Sequence, residues 1–401
     1  MRMEAMNRPR DRFAWFGRLA LIPVLLLAAV TLAGCEDFDQ FAQEVADQLL
    51  VELENELNSQ MTQQAAEEAS IPLESSGTGS YYAVYFTDPA STSPDLSNGI
   101  ENHLIDLING AQSTIDAAMF EFNLQNVADA LIAAHQRGVQ VRVVYDDEHT
   151  EDDPQIEELI DAGIPAVPDE RGAYMHNKFF VIDQSVVWTG SLNITVNGSY
   201  FNNNNVIVIR SARLAANYAT EFEEMFNGEF GPSSPANTPS PVFSLDGIRI
   251  ENYFAPEDAV MEKVIRAVEG ATQSIHFMIF AFTDDDLGAA MIERAGQGVE
   301  VVGIFESRGA NTEYSECPAL LNAGLDVRLD GNPRTFHHKV IIIDGTTVVT
   351  GSFNFSANAT ESNDENLVIV HDPAVAALYE AEFNRRLAES RLPVGGECLS
   401  E

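Results

Sequence analysis

The nine residues from Met175 to Asp183 return as Phe336 to Asp344, with the form His-x-Lys-x-x-x-x-Asp kept in both copies. His176, Lys178 and Asp183 are matched by His337, Lys339 and Asp344. Gly190-Ser191-Leu192-Asn193 follows the first copy, and Gly351-Ser352-Phe353-Asn354 follows the second. Every one of these landmarks recurs 161 residues later. A repeat of that length is a whole domain, too long for a solenoid unit. The chain therefore has to build one kind of unit twice.

The flanking sequence supports the duplication. From Tyr81 onward, apolar strand-like runs alternate with helix-like stretches: Tyr81 to Phe86, then Ile100 to Ala111, Ser113 to Phe122, Val127 to Arg137, Gly138 to Tyr145 and Gln155 to Ala162. This alternation predicts an α/β layer. In the second half, Ile250 to Phe254 answers Tyr82 to Phe86 at an offset of 168. Ser274 to Phe280 answers Thr114 to Phe120 at 160, and Ala323-Gly324-Leu325 answers Ala162-Gly163-Ile164 at 161. Gly231 to Pro241 is rich in Pro and Ser and reads as a linker. The predicted boundaries are 81–230 for the first domain, 231–244 for the linker and 245–395 for the second domain.

The duplicated string followed by Gly-Ser-x-Asn resembles the signature of the phospholipase D superfamily of phosphodiesterases, over roughly Tyr81 to Leu387. The resemblance implies an α/β fold class: two tandem α/β sandwich domains packed about a pseudo-two-fold axis, with one shared active site. It also implies a phosphohistidine mechanism that needs neither metal nor cofactor.

Residues two apart on a strand share a face, so His176 is expected beside Lys178 and His337 beside Lys339. A phosphodiesterase needs a nucleophile, an acid for the leaving group and cations for the phosphoryl oxygens. Two imidazoles and two ammonium groups supply these at neutral pH. Ser191, Asn193, Ser352 and Asn354 are expected to add donors to the substrate. Asp183 and Asp344 sit an odd number of residues from their His, and Asp344-Gly345 is a hairpin-turn signal. Strand geometry makes them turn residues, whereas the family signature places them with the catalytic set. His276 and His338 lack the Lys partner and read as structural.

The halves differ at one informative point. Asn363-Asp364-Glu365-Asn366 in the second half aligns with Asn202-Asn203-Asn204-Asn205 in the first, so Glu365 answers Asn204. In the family, a side chain here orients the His of the opposite half. The resemblance thus pairs Glu365 with His176 and Asn204 with His337. A carboxylate makes an imidazole more basic than an amide does. His176 is then the expected nucleophile and His337 the expected general acid.

At the N-terminus, five arginines lie within residues 1–18, an apolar run follows from Leu19 to Val30, and Leu32-Ala33-Gly34-Cys35 ends the stretch. This resembles a bacterial lipoprotein signal peptide (1–34) with Cys35 as the lipidated residue, followed by an acidic tether and linker (35–80). The expected location is the cell envelope, anchored to a membrane and facing the periplasm or exterior. Cys317 and Cys398 remain as one pair that an exported protein can join; the sequence leaves their pairing open.

The full chain holds 22 basic and 62 acidic residues, a net charge of −40. Such a surface repels polyanions at long range and weighs against a processive nucleic-acid binder. The first expectation is a phospholipase D that hydrolyses a phospholipid to phosphatidic acid and an alcohol. An endonuclease or cardiolipin-hydrolase-like phosphodiesterase, with nucleic acid as substrate in the former case, is the alternative. A silent lipoprotein that binds phosphate-bearing ligands is the third reading. Because one chain carries both half-sites, a monomer is expected.

Overall fold

Both halves fold into the same sheet. The computed structural model describes residues 77, 79–89, 96–395 and 397–399. The proposed signal peptide, Cys35 and nearly all of the 35–80 tether lie outside them. In the first half the strands are β1 (Tyr82–Phe86), β2 (Thr114–Met119), β3 (Gln140–Tyr145), β4 (Ala166–Pro168), β5 (Lys178–Ile182), β6 (Val186–Gly190) and β7 (Asn205–Arg210). They assemble in the order β1-β7-β6-β5-β2-β3-β4. The second half supplies β8 (Val242–Leu245), β9 (Ile248–Ala255), β10 (Ser274–Ile279), β11 (Glu300–Phe305), β12 (Asp326–Leu329), β13 (Lys339–Ile343), β14 (Thr347–Gly351) and β15 (Glu365–His371). Their order, β12-β11-β10-β13-β14-β15-β9-β8, is the first sheet read from its other edge, with β8 added.

Register carries the duplication down to single residues. Phe86 lies opposite Asn205, and Phe254 lies opposite Asn366, which accounts for the offset of 168 at that strand. Met119 pairs with Lys178 as Ile279 pairs with Lys339. The parallel pairs β2–β3 and β10–β11 are the α/β part of each sheet.

After their first residue, Lys178 or Lys339, the motif strands are apolar because both of their faces are covered. Along β5, Phe179 and Val181 enter one core while Phe180 and Ile182 enter another. The second of these cores belongs to the first half alone, and its counterpart serves the second half. The first joins the inner faces of both sheets to two long helices, Ala212–Phe226 and Pro373–Glu389. Leu214, Ala215, Tyr218, Phe222 and Met225 recur at helical spacing and are all buried there. Ser211 and Asp372 cap the two helices through their side chains.

Three findings refine the domain reading. The stretch read as linker up to residue 244 already contains most of β8, which pairs with β9 as a hairpin on the second sheet. The rest of that stretch is pinned to its neighbours. Ser240 exchanges two 2.9 Å hydrogen bonds with the Asn217 side chain, and Thr238 donates to Asp258 at 2.7 Å. Cys317 and Cys398 are joined by a disulfide, 81 residues apart in the chain, which ties the C-terminal segment to the start of the Cys317–Asn322 helix.

Candidate active site

Regular pairing of the motif strands starts only at Lys178 and Lys339. The residues just before them cross to the other half: Met175 bridges Asp364, and Phe336 bridges Asn203. The His176 N–H donates to the Asp364 carbonyl at 3.0 Å, and the His337 N–H donates to the Asn203 carbonyl at 2.9 Å. Each His is thereby held beside the residue that follows in the opposite strand, Glu365 or Asn204.

His176 Nδ1 lies 2.7 Å from Glu365 Oε2, and His337 Nδ1 lies 2.9 Å from Asn204 Oδ1. All four residues are buried. Ser352 Oγ donates to the same Glu365 oxygen at 2.7 Å, and Ser191 Oγ donates to the Asn204 oxygen at 2.9 Å. The serines were expected to face the substrate; instead their hydroxyl protons hold the groups that orient the imidazoles. Two donors on one Glu365 oxygen suit a carboxylate.

The ammonium groups complete the cluster. Lys178 Nζ donates to the His176 carbonyl at 2.7 Å, and Lys339 Nζ lies 3.1 Å from His337 Nε2. Each rests over a phenylalanine, Lys178 over Phe120 at 4.5 Å and Lys339 over Phe280 at 5.0 Å. The same rings meet the imidazoles edge-on, with centroids 4.6 and 4.9 Å apart. Phe120 and Phe280 are duplicated like the motif, yet their apolar setting in a strand gives no hint of this use.

Burial sets the charge states. Burial, followed by the nearby lysines, depresses both His176 and His337 well below the usual imidazole value. Burial lowers Lys178 to about 7, and burial and Lys178 lower Lys339 strongly. Burial also pushes the Glu365 carboxyl up to about 8, against the pull of Lys178, Ser352 and Lys339. A diester anion between the two lysines would restore the charge that burial disfavours.

Asp183 and Asp344 stand at the far ends of β5 and β13 from the lysines. Asp183 accepts from the backbone N–H groups of Gln112, Ser113 and Thr114, at 2.6–3.1 Å. Asp344 does the same for Thr272, Gln273 and Ser274, at 2.7–3.1 Å. Both have positive φ, 50° and 53°, as a tight hairpin needs. The structure therefore removes them from the reacting centre and makes them anchors for the loops before β2 and β10. Asn193 Nδ2 donates to Glu121 at 2.6 Å, and the buried Oδ1 atoms of both Asn193 and Asn354 have no partner among the described residues. Glu121 has no acidic counterpart, because Ala281 occupies that place in the second half. His338 and His276 lie outside the cluster: His338 faces Asn205 and Glu382, and His276 stacks on Phe383 beside Glu380.

A second crossed network, absent from the sequence reading, locks the halves together below the site. Asn366 donates to Asn177 at 2.7 Å and accepts from Thr189 and Tyr218. Its counterpart Asn205 donates to Thr350 and Tyr379 and faces His338.

A family model described as cardiolipin synthase, PLD-like domain, matches residues 104–226 and again 264–387. The chain belongs to the phospholipase D superfamily. It is 29% identical over 161 residues to a phospholipase D of Rickettsia bellii (strain RML369-C), covering 39% of this chain and 80% of that protein. It is 34% identical over 142 residues to a mitochondrial cardiolipin hydrolase of Xenopus laevis, covering 35% of this chain and 67% of that protein. The solved structure of phosphatidylserine synthase from Haemophilus influenzae Rd KW20 is similar in fold, with a TM-score of 0.61 and 14% identity over 85% of this chain and 94% of that one. As a member of the superfamily, the chain is a phosphodiester hydrolase of the phospholipase D type.

Proposed function

We propose that this phosphodiesterase is a membrane-tethered phospholipase D that hydrolyses a phospholipid to phosphatidic acid and an alcohol, without metal, through a phosphohistidine on His176. The observation that carries the assignment of roles is the 2.7 Å contact between His176 and Glu365, set against the neutral Asn204 that faces His337. With Glu365 ionised, His176 donates its Nδ1 proton to the carboxylate and presents the Nε2 lone pair to phosphorus. The Nε2–P bond forms as the bond from phosphorus to the alcohol oxygen breaks. That oxygen keeps the bonding pair and takes a proton from the His337 imidazolium. In the second step, neutral His337 removes a proton from water, whose oxygen displaces His176 from phosphorus. Lys178 and Lys339 hold the phosphoryl oxygens in both steps.

The lipid substrate is supported by relatives named phospholipase D and cardiolipin hydrolase, by the acidic surface and by the lipoprotein-like Cys35. Cys35 would place a monomeric enzyme at the cell-envelope membrane that contains its substrate.

The decisive assay measures phosphatidic acid released from phospholipid vesicles in EDTA by the wild type and by His176→Ala. Product that appears only with wild type supports the reading. Nicking of single-stranded DNA or RNA under the same conditions, with no action on vesicles, would replace it with the nuclease. Retention of a Cys35→Ala variant in the membrane fraction would sink the lipid anchor.

A further inference from the structure

The two halves differ around the rings that flank the histidines. In the first half, Phe120 carries His149 at 4.3 Å and Tyr174 at 5.4 Å between centroids, and these rings fill the space beside His176. In the second half, Gly309 takes the place of His149 and Thr335 that of Tyr174. The equivalence rests on hydrogen bonds: the His149 N–H donates to Asp146, and the Gly309 N–H donates to Glu306, at the matching position. The volume left open is a cavity of about 460 Å³ walled by Phe280, Phe282, Phe305 and Ala310, with Arg308 and Gly309 on its lining. It abuts the reacting centre, because Phe280 touches both His337 and Lys339. Its size is that of pockets that hold drug-sized ligands, about 300–1,000 Å³.

We infer that this cavity receives the leaving alcohol, and that it selects an alcohol with an apolar body over a small polar one. The inference rests on the proposed roles of the histidines. The bond to the leaving oxygen breaks on the side where His337 gives up its proton, and the cavity lies on that side. Its walls are mostly carbon. Its buried carboxylate is already committed: Glu306 binds Arg308 Nε at 2.6 Å and accepts from the Arg308 and Gly309 N–H groups at 2.8 and 2.9 Å. No lining carboxylate is left to pair with a cationic head group, and the Arg308 guanidinium is engaged in turn, pairing with Glu306 through Nε and donating from Nη2 to Thr335 Oγ1 at 2.8 Å. On the nucleophile's side, His149 and Tyr174 pack on Phe120 where the second half has Gly309 and Thr335.

Gly309 provides the test. Its backbone is not left-handed, and an added Cβ would meet its nearest neighbours at 3.8–4.0 Å, ordinary contact distances. Gly309→His and Gly309→Leu therefore fill the cavity from its lining, the first with the ring that the other half uses. Phosphatidylmethanol and phosphatidyl-p-nitrophenol are compared in one carrier vesicle, with soluble bis(p-nitrophenyl) phosphate as a lipid-free probe. Taking each variant relative to wild type cancels the intrinsic reactivity of the leaving group. Folding is checked by circular dichroism, and Gly309→Leu serves if the His variant does not fold. The kcat/KM ratio for p-nitrophenol over methanol is expected to fall about tenfold or more in a filled variant. An unmoved ratio in enzyme that still cleaves both lipids overturns the pocket and leaves the lipid reading intact. No action on either lipid, with a tenfold loss on the soluble probe in the filled variant, overturns the lipid reading and keeps the pocket.

Discussion

His176 Nδ1 sits 2.7 Å from Glu365 Oε2, although 189 residues separate them and they belong to different halves of the chain. The equivalent pair in the other direction joins a histidine to an amide. One site thus holds two imidazoles with unequal partners, a carboxylate and an amide.

That inequality makes Glu365→Gln informative. The amide can still orient the ring but cannot stabilise the charge that develops on it, so kcat should fall about 100- to 10,000-fold. Acid-quenched enzyme digested and analysed for phosphohistidine should carry the label on the peptide with His176. Label on the His337 peptide would reverse the assignment.

The pH profiles should separate. Burial lowers Lys178 to about 7 in the unliganded site, so its positive charge is present below that pH and lost above it. The rate at low substrate, kcat/KM, reports the free enzyme: loss of the Lys178 charge gives its falling limb, and ionisation of Glu365, which burial pushes up to about 8, gives its rising one. A bound diester anion raises the lysine again, so the decline in kcat should come at higher pH. Measuring both profiles on one substrate checks this; coincident limbs would show that Lys178 is not the group seen.

Asp183→Ala tests the revised place of the motif aspartates. Its buried carboxylate serves three backbone N–H groups, and their loss should cost about 1–3 kcal/mol of stability. Thermal unfolding should register that loss, while kcat of the folded variant should stay far above that of His176→Ala.

Removing the disulfide by Cys398→Ser frees the C-terminal segment and opens a long loop. The expected loss of stability is about 2–5 kcal/mol, read as a lower urea midpoint that reduction of the wild type reproduces.

How much of this could be read from the residues alone follows from where the information lies. The sheets, their order of elements and the pairing of His with Lys are local patterns written twice, and the constant offset exposes them. The alignment of Glu365 with Asn204 marked the asymmetry, but the crossing to the opposite His came from the family resemblance. Ser191 and Ser352 were misdirected because a hydroxyl on a loop can turn either to the ligand or to a neighbour, and only the fold decides. Asn177 and Glu121 escaped notice for the same reason: their partners lie in another sheet or on a distant loop. Gly309 is silent in sequence, since its role is the absence of a ring that its counterpart carries.

The shared core between the two sheets has one more consequence. Were the same site assembled from two identical subunits, every substitution would appear on both sides of the axis, and no change could favour attack on one side without also altering departure on the other. Joining the copies in one chain lifts that restriction. The buried central layer holds the symmetric frame, and the residues at its rim are free to diverge singly, as Glu365 has from Asn204 and Gly309 from His149.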